Sequence, residues 1–344
     1  MISIRRYILF FCVIFFQHID LHGQTQPLAI GFYNLENLFD TQDDPEILDE
    51  EFLPSGAKNW TNDKYQDKLS RLAKVIRNIQ SDLKGTPLAI LGVCEIENQG
   101  VLEDLVRQDA LHDYYFKIVH RNSKDFRGVD VGLLYRSEYF QVLAVKSFEV
   151  PLPNNGDTPR KTRDVLLIKG MLAGRLVFIT VNHWPSRRGG EKETQAFRNL
   201  AASINKNIAD SVRIVHPHAG FIVMGDLNDN PDDLSVFKTL GAAKMLPLDS
   251  SHCFFNPFYE HYRQGEGTGA HDDRWGLFDQ IILSNHFIQS KDYWNLVDQK
   301  VFRKNYMIEK SGHYKNYPKR TFSGDKYNFG YSDHFPVYCI LRPN

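Results

Sequence analysis

The chain is poor in cysteine, with four in 344 residues. Cys12 lies in an N-terminal apolar run, which leaves Cys94, Cys253 and Cys339 for the body of the protein. Three cysteines cannot build a disulfide framework, so a disulfide-stapled scaffold is excluded. Cys94 and Cys339 sit inside apolar runs and read as buried thiols. The HExxH and CxxC spacings of zinc sites are missing, and so is a glycine-rich phosphate cradle of the P-loop type. There is no excess of positive charge: 41 basic against 42 acidic residues give a formal charge of −1, so no global basic field is available to hold nucleic acid. No segment repeats at a solenoid period. What is present is ordinary globular composition, 42% hydrophobic and 24% charged, on a chain long enough to bury a large core.

The first residues stand apart from that body. Arg5 and Arg6 precede the apolar run Tyr7 to Phe16, and Leu21-His22-Gly23 follows. A positive start and a short apolar run predict a secretory signal peptide over residues 1–23, cleaved near Gly23. The run is too short for a comfortable membrane span, though an uncleaved anchor is the alternative. Cys12 has no small residue before it, which argues against lipoprotein processing. Removing Arg5, Arg6 and Asp20 makes the formal charge one unit more negative. A secreted or periplasmic protein with no membrane anchor after cleavage is expected. No Pro- or Gly-rich linker splits residues 24–344, which predicts one domain.

Along that domain, apolar runs alternate with amphipathic segments. Strands are predicted at Leu28 to Tyr33, Pro87 to Val93, Tyr114 to His120, Val129 to Tyr135, Phe221 to Met224, Trp275 to Leu283 and Val337 to Leu341. Phe140 to Val150 reads as the hairpin partner of Val129 to Tyr135. Val165 to Met171 and Leu176 to Val181 read as a second antiparallel pair. A helix is predicted from about Asn62 to Gln80, with Leu69, Leu72, Val75, Ile76 and Ile79 as its stripe. A short helix spans Val101 to Val106. A long one ends near Val212, with Phe197, Leu200, Ile204 and Ile208 on one face. Thr41 to Thr61, Asp249 to Arg274 and Asp298 to Lys326 read as loops. Hairpins with amphipathic helices between them point to an α+β fold, with sheets packed face to face and helices outside.

The chemistry collects where strands stop or start. The sharpest instance is Met224-Gly225-Asp226-Leu227-Asn228-Asp229-Asn230-Pro231. Gly225 allows close passage of the backbone. Asp226 and Asn228, at spacing two, share a face if the strand continues through them. A carboxylate and an amide there can take a proton from water and orient a phosphate oxygen. Taken alone, the stretch reads equally as an Asx-rich turn. Five other segments repeat the pattern: Asn34/Glu36, Glu95, His183, Asp279 and Asp333/His334. Each alone is a solvated strand end. Together they are hard to explain as loops, and they converge if their strand ends meet at one rim. Glu97 reads as a surface acid or a second metal ligand. Arg187 and Arg188 read as a phosphate-contacting pair or a solvated loop. Trp275 reads as a packing residue or a base-stacking one, and His271-Asp272-Asp273 as a polar loop.

At these residues the chain resembles the endonuclease/exonuclease/phosphatase superfamily of metal-dependent phosphoesterases. The matching pieces are Asn34 in FYNLEN, Glu95 in GVCEIEN, the DFRGVDVGLLYR run, His183 in VNHWP, GDLNDNP, Asp279 in LFDQIILS, and YSDHFP. They cover nearly the whole of residues 24–344 in the family's order, and the long forms NHWPSRRGG and GYSDHFPV look most like a secreted bacterial branch. The resemblance implies a four-layer αββα sandwich of two mainly antiparallel sheets with one rim active site. It implies that Glu95 holds Mg²⁺ or Mn²⁺, with Asn34 and Glu36 close by and Asp333 beside the metal or paired with His334. It implies that His183 and His334 contact the scissile phosphate, that Asp279 orients a histidine, and that Asp226 and Asn228 position the attacking water. Tyr135 is implied as an aid to phosphate binding. Cys94 departs from the pattern, since many relatives carry glutamine there. The expected function is a secreted phosphoesterase, foremost an endonuclease on nucleic acid. A phosphatase or a phospholipid or inositol-phosphate phosphodiesterase is the alternative within the class. A catalytically silent binding module would require loss of Asp226, Asn228, His334 or Glu95, and all four are present. No stable protein partner is implied.

Overall fold

The computed structural model describes residues 26–154, 156–245, 254–288, 291 and 293–344. The N-terminal segment 1–23 and Cys253 lie outside the described residues. In chain order the strands are β1 (Leu28–Leu38), β2 (Leu88–Ile96), β3 (Phe116–His120), β4 (Asp130–Arg136), β5 (Phe140–Phe148), β6 (Val165–Leu172), β7 (Arg175–His183), β8 (Gly220–Asp226), β9 (Ala242–Ala243), β10 (Phe254–Phe255), β11 (Gly269–His271), β12 (Arg274–Gly276), β13 (Asp279–Ser284), β14 (Trp294–Val301), β15 (Phe322–Ser323), β16 (Lys326–Tyr327) and β17 (Val337–Pro343). The helices are α1 (Asn62–Asp82), α2 (Gln99–Val106), α3 (Glu191–Val215) and the short α4 (Tyr259–Arg263).

Two large sheets carry the fold. One has the order β14-β17-β1-β2-β4-β3 and the other β5-β6-β7-β8-β13-β10-β9. Both are mainly antiparallel, with a parallel pair near the middle of each: β1 with β2, and β7 with β8. The sheets pack face to face, β1 and β2 against β7, β8 and β13. Leu69, Leu72, Val75, Ile76 and Ile79 of α1 are buried in the main core, as their spacing predicts. A second core lies between the other sheet and α3. The result is the helix-sheet-sheet-helix layering expected for α+β.

The central parallel pairs decide where the chemistry goes. Parallel neighbours end on the same side, so β1, β2, β7 and β8 deliver their C-terminal residues to one rim. Antiparallel neighbours begin there. Asp279 opens β13 opposite Asp226, and Val337 opens β17 opposite Phe32, which puts residues 332–336 at the same rim. Gly225 makes the close passage its sequence context suggests, because a Cβ there would fall 2.3 Å from the Asn182 carbonyl oxygen.

Four expectations need correction. First, Phe140–Phe148 pairs with β6 in the other sheet, not with β4. A short link crosses the sandwich, and Tyr139 and Phe140 are buried as it passes. Second, the run from Trp275 is two strands, since β12 pairs with β11 and the chain turns at Leu277-Phe278 before β13. Third, two regions read as loops contain structure. β14 forms an edge of the first sheet, and β10, α4 and β11 lie within 254–271, with Phe254 and Phe258 buried. Fourth, α3 is rotated from its apolar stripe. Its buried positions are Thr194, Arg198, Ala201, Ala202, Asn205, Ile208 and Ala209, with Leu200 and Ile204 only half-buried at the flank. Small residues let the helix lie close to the sheet, and the buried polar groups have dedicated partners. Arg198 Nε lies 2.6 Å from Asp229 Oδ1. The Asn205 amide donates to Asn182 Oδ1 at 2.7 Å, and Asn205 Oδ1 accepts from Thr180 at 2.7 Å.

These contacts set two expected outcomes. Arg198→Ala leaves the buried Asp229 with less compensation, so unfolding in denaturant should show a loss on the order of 3 kcal/mol. An unchanged midpoint would mean that the ion pair is dispensable. Asp82, at the C-terminal end of α1, accepts from Lys300, Lys304 and Tyr338. Burial alone would raise its carboxyl, but the hydrogen bonds from these groups outweigh it and hold the carboxyl down at about 2. A depressed carboxylate stabilises fully above its unfolded pKa of about 3.9 and loses that effect as pH falls toward 2. Asp82→Asn should therefore lower Tm by a few degrees at pH 7, and the gap to wild type should close by pH 2 to 3.

Candidate active site

The rim is assembled from both sheets. Asn34, near the end of β1, is its connector. Its Nδ2 donates to Glu95 Oε1 on β2 and to Asp226 Oδ2 on β8, each at 3.1 Å. Its Oδ1 accepts the Glu36 amide at 2.8 Å, and its carbonyl accepts from Ser332 Oγ at 2.7 Å. Glu95 Oε2 accepts the Asn37 amide at 3.0 Å. One amide side chain thus joins the two sheets and aligns two carboxylates.

Two histidines face those carboxylates. His183 Nε2 lies 3.8 Å from Glu95 Oε1 and 3.7 Å from Asp226 Oδ2. His334 Nε2 lies 3.8 Å from Asp226 Oδ2, while its Nδ1 donates to Asp279 Oδ2 at 2.6 Å. The contacts at 3.7 to 3.8 Å are too long for hydrogen bonds. They bound a gap that a phosphoryl oxygen, a water or a cation fits.

The electrostatics separate the two rings. Burial pulls the His183 imidazole well below the usual range, and the positive charges of Arg163 and Arg127 push the same way, so it is neutral. Burial would also pull His334 down, but the Asp279 and Asp226 carboxylates more than reverse this and hold it cationic. Burial, with repulsion from Asp279 and Glu95 opposing the pull of His334, lifts Asp226 to about 7. The site therefore offers a neutral imidazole, an imidazolium and a carboxyl balanced near neutral pH.

The donor set fits a hard cation. Glu95, His183 and Asp226 offer ligand atoms within 4.8 Å of one another, and so do Asp226, Asp279 and His334. Buried Asp279 Oδ1 and His183 Nδ1 have no protein partner. Orphaned acceptors among crowded carboxylates are what a bound dication relieves.

The structure thus brings together Asn34, Glu95, His183, Asp226, Asp279 and His334. It places the other expected residues differently. Glu36 and Asn228 do not share a face with Asn34 and Asp226, because both adopt left-handed backbone, with φ of 50° and 50°. Asn228 stays at the rim, its amide nitrogen donating to the Trp184 carbonyl at 3.0 Å and its backbone N–H to Asp226 Oδ1. Glu36 and Asp333 turn to a separate group with Lys68, Thr321 and Arg320. Burial and the Asp333 charge push the Glu36 carboxyl up to about 7, against the pull of Lys68 and Thr321. Tyr135 is away from the rim. It lies five residues into β4 from Asp130, about 16 Å along the strand, and its ring packs edge-on against Phe140. Arg187 is no free phosphate contact: it is held by the Asn228 carbonyl, Asp229, Asp233 and Glu191, and stacks over Phe278. Arg188 is exposed on the same loop. Glu97 is buried, not a surface acid. It accepts the Asp40 amide, and burial with the Asp40, Asp49 and Asp44 charges lifts it to about 8.

Several supporting residues gave little signal in the sequence. Arg163 is buried and donates to the His183 and Trp184 carbonyls at 3.1 and 2.7 Å. It also reaches Asp125, which grips Arg127 on its other side. Asn182, the first residue of the NHWP motif, accepts from Trp184 Nε1 and Asn205 and donates to the Met224 carbonyl. Asp125, Arg127 and Asn182 lie inside the DFRGVDVGLLYR and VNHWP runs, which could have pointed to them, whereas Arg163 lies in no quoted motif.

Comparison with known proteins agrees with this geometry. A family model described as Endonuclease/Exonuclease/phosphatase family matches residues 29–343. No curated protein sequence matches the chain. Among solved structures, a humanised D. rerio TDP2 superposes with a TM-score of 0.55 at 14% identity, covering 92% of this chain and 99% of that one. D. rerio TDP2 complexed with a single-strand DNA product gives 0.53 at 13%, covering 92% and 99%. A mannosyl-6-phosphatase from Bacteroides thetaiotaomicron gives 0.53 at 15%, covering 91% and 99%. At these identities the likeness shows a shared fold.

Asp226→Asn and His334→Ala should each cost about a hundredfold or more in turnover, the scale of acid–base and electrostatic contributions. Steady-state kinetics alongside melting curves check this. Near wild-type turnover in either variant would remove that residue from the chemistry.

Proposed function

The chain belongs to the endonuclease/exonuclease/phosphatase family and is a hydrolase of phosphate esters, and from that premise we propose that it cleaves nucleic-acid phosphodiesters with little sequence preference, using Mg²⁺ or Mn²⁺. The observation that supports the phosphoester chemistry is the meeting of Glu95, Asp226, Asp279, His183 and His334 around one gap. Enzymes of the family depend on a divalent metal. Here Glu95, aligned by Asn34, with Asp226 beside it, would hold that metal. When bound, a hard dication neutralises charge on the phosphoryl group and the leaving oxygen.

The chain's own residues then divide the work. Asp226 Oδ2 takes a proton from water as its oxygen attacks phosphorus. Asn228 fixes that carboxylate through its backbone N–H, which donates to Asp226 Oδ1. As the bond from phosphorus to the leaving oxygen breaks, that oxygen takes the proton that His334 carries at Nε2. Asp279 holds the imidazolium in place from Nδ1. Neutral His183 lies on the other side of the gap and contacts a non-bridging oxygen. Solvent then removes the proton from Asp226 and returns one to His334.

The nucleic-acid reading draws on exposed Arg188, Lys310 and Lys315 and on the aromatic group Trp275, Tyr314 and Tyr317, of which Trp275 belongs to the β11–β12 hairpin that runs against His334. Side chains of this kind stack bases and meet phosphates. No helix or strand is set to read base edges, so binding would rest on a few phosphate contacts and show a shallow salt slope. Two observations favour a second reading, a phosphatase of small esters. Arg187, Lys300, Lys304 and Arg320 are all tied to acids within the protein, and the acidic stretch from Asp40 to Glu51 lies beside Glu97. Both features discourage a long polyanion. Among the described residues no helix is long and apolar enough to cross a membrane. Export through the signal peptide at residues 1–23, to a secreted or periplasmic location, is part of this proposal.

The test is a panel under one Mg²⁺ concentration: plasmid DNA, RNA, a simple phosphodiester, a sugar phosphomonoester, sphingomyelin and a phosphoinositide. Cleavage of both nucleic acids, abolished by chelation, is the expected result. Hydrolysis of the monoester alone would establish the phosphatase reading, and efficient lipid hydrolysis a phospholipase one. Full activity after exhaustive chelation would overturn the metal requirement.

A further inference from the structure

The side chains of Asp279 and His334 are held mainly by each other. Asp279 Oδ2 accepts from His334 Nδ1 at 2.6 Å, and the buried Oδ1 has no partner. Among the described residues the His334 ring makes no other hydrogen bond, since Asp226 Oδ2 is 3.8 Å from its Nε2. Where the pair sits therefore depends on where the backbone puts each member. Asp279 opens β13, and His334 comes three residues before β17.

Thr268, the residue before β11, holds both backbones. It is fully buried. Its Oγ1 accepts the N–H groups of Phe278 and Asp279, each at 3.2 Å. Its carbonyl accepts the Phe335 N–H at 2.7 Å, and its own N–H donates to the Gly276 carbonyl at 2.8 Å. Buried N–H groups need partners, and here one hydroxyl serves two of them at the point where β13 begins. Gly269 then brings the hairpin alongside the imidazole, since a Cβ there would lie 3.7 Å from His334 Cε1. The other anchors each serve one member of the pair. The Phe278 carbonyl accepts the Leu227 N–H at 2.8 Å, and the Leu277 N–H donates to Asn230 Oδ1 at 3.0 Å. The His334 N–H donates to Ser332 Oγ at 3.0 Å. Thr268 alone among these contacts is bonded on both the Asp279 and the His334 side.

We propose that Thr268 is a positioning residue for the proton donor: its hydroxyl and carbonyl set Asp279 and His334 relative to one another, so that His334 Nε2 points at the leaving oxygen. The inference rests on the reading of His334 as the group that protonates that oxygen. The proton passes from Nε2 to the leaving oxygen as the bond to phosphorus breaks, and Thr268 takes no part in the transfer. Such a role has a signature. A leaving alcohol needs the proton, whereas an acidic phenol departs without it. Misalignment of the donor therefore slows esters of alcohols and spares esters of phenols. A displacement of about 1 Å is enough, because proton transfer demands hydrogen-bond reach. General loosening of the fold would slow both alike.

The test compares two thymidine phosphodiesters that differ in the leaving group, a second thymidine or p-nitrophenol. If the substrate panel shows monoester cleavage only, a sugar phosphate and p-nitrophenyl phosphate take their place. Thr268→Val keeps the branched shape and removes the acceptor. Its kcat should fall about a hundredfold on the alcohol ester, the low end of general-acid contributions. On the nitrophenyl ester kcat should change little, and KM should hold on both. Thr268→Ser keeps the hydroxyl and should recover most of the loss. Thr268→Ala stands in for the valine variant if that one does not fold. Wild-type kcat on the alcohol ester in Thr268→Val, or an equal loss on both esters, would overturn the inference. So would a chain that folds with serine and with neither valine nor alanine, because the hydroxyl would then be a structural prop alone. His334→Ala is the reference. If it too loses only the alcohol ester while Thr268→Val loses both alike, the inference fails and the reading of His334 stands. An equal loss on both esters in His334→Ala overturns that reading and the inference with it.

Discussion

The Asn34 side-chain amide is the contact on which the rest of the rim depends. Two carboxyl groups from opposite sheets have no reason to approach one another, since like charges repel and Asp226 is buried. The amide nitrogen donates to both at once, to Glu95 from its own sheet and to Asp226 from the facing one. A neutral donor can do this without cancelling the negative charge that a cation needs. A lysine in its place would fill the site with its own charge. The same residue uses its amide oxygen and its backbone carbonyl to hold Glu36 and Ser332. The segment carrying Asp333 and His334 is thereby registered against the end of β1.

Around that contact the strands stop in unusual conformations. Glu36, Asn37, Glu95 and Asn228 all have φ near +50°. Non-glycine residues pay for this region with about 1 to 3 kcal/mol each when the surroundings do not favour it. Here the surroundings do. Asn37 donates its amide to Glu95, and Asn228 is bonded at both its side chain and its backbone. Turning the backbone out of the extended region breaks the ladder, which between β1 and β2 resumes only at Leu38 and Ile96, and swings the next side chain sideways. This is why alternation, reliable within β1 and β8, fails two residues past Asn34 and Asp226.

Behind the rim lies a polar support that holds the histidine loop. Arg163 carries the His183 and Trp184 carbonyls, and Asn182 and Asn205 link β7 to α3. Charges and amides in such places are costly unless fully bonded. Their cost is offset by a precise position for the His183 ring, whose Nε2 must reach the same gap as His334 from a different strand. Burial, reinforced by Arg163 and Arg127, keeps that ring neutral, while the Asp279 and Asp226 carboxylates override burial at the other and keep it charged. Two histidines of equal intrinsic acidity thus differ through their surroundings.

Much of this protein was legible in its sequence. The hydrophobic period of α1 placed the helix and its buried face, because burial of Leu69, Leu72 and Ile76 follows directly from 3.6-residue spacing. The apolar runs ending in Asn34, Glu95, His183 and Asp226 identified strands whose ends carry chemistry, and the family motifs supplied their order. Three kinds of feature were not legible. Which strand pairs with which depends on contacts across the sandwich, so the crossing from β4 to β5 was misread as a hairpin. Which face of α3 is buried depends on partners distant in sequence, since Arg198 and Asn205 look like surface residues until Asp229 and Asn182 meet them. The fate of each charge depends on what lies opposite. Arg187 is locked to acids, and Glu36 and Asp333 are met by Arg320 and Lys68, which stand far from them in sequence. Local spacing determines which groups a chain can present at a strand end. Only the packing of two sheets decides which of those groups face one another, because distances across the rim are set by long-range contacts that no local pattern encodes.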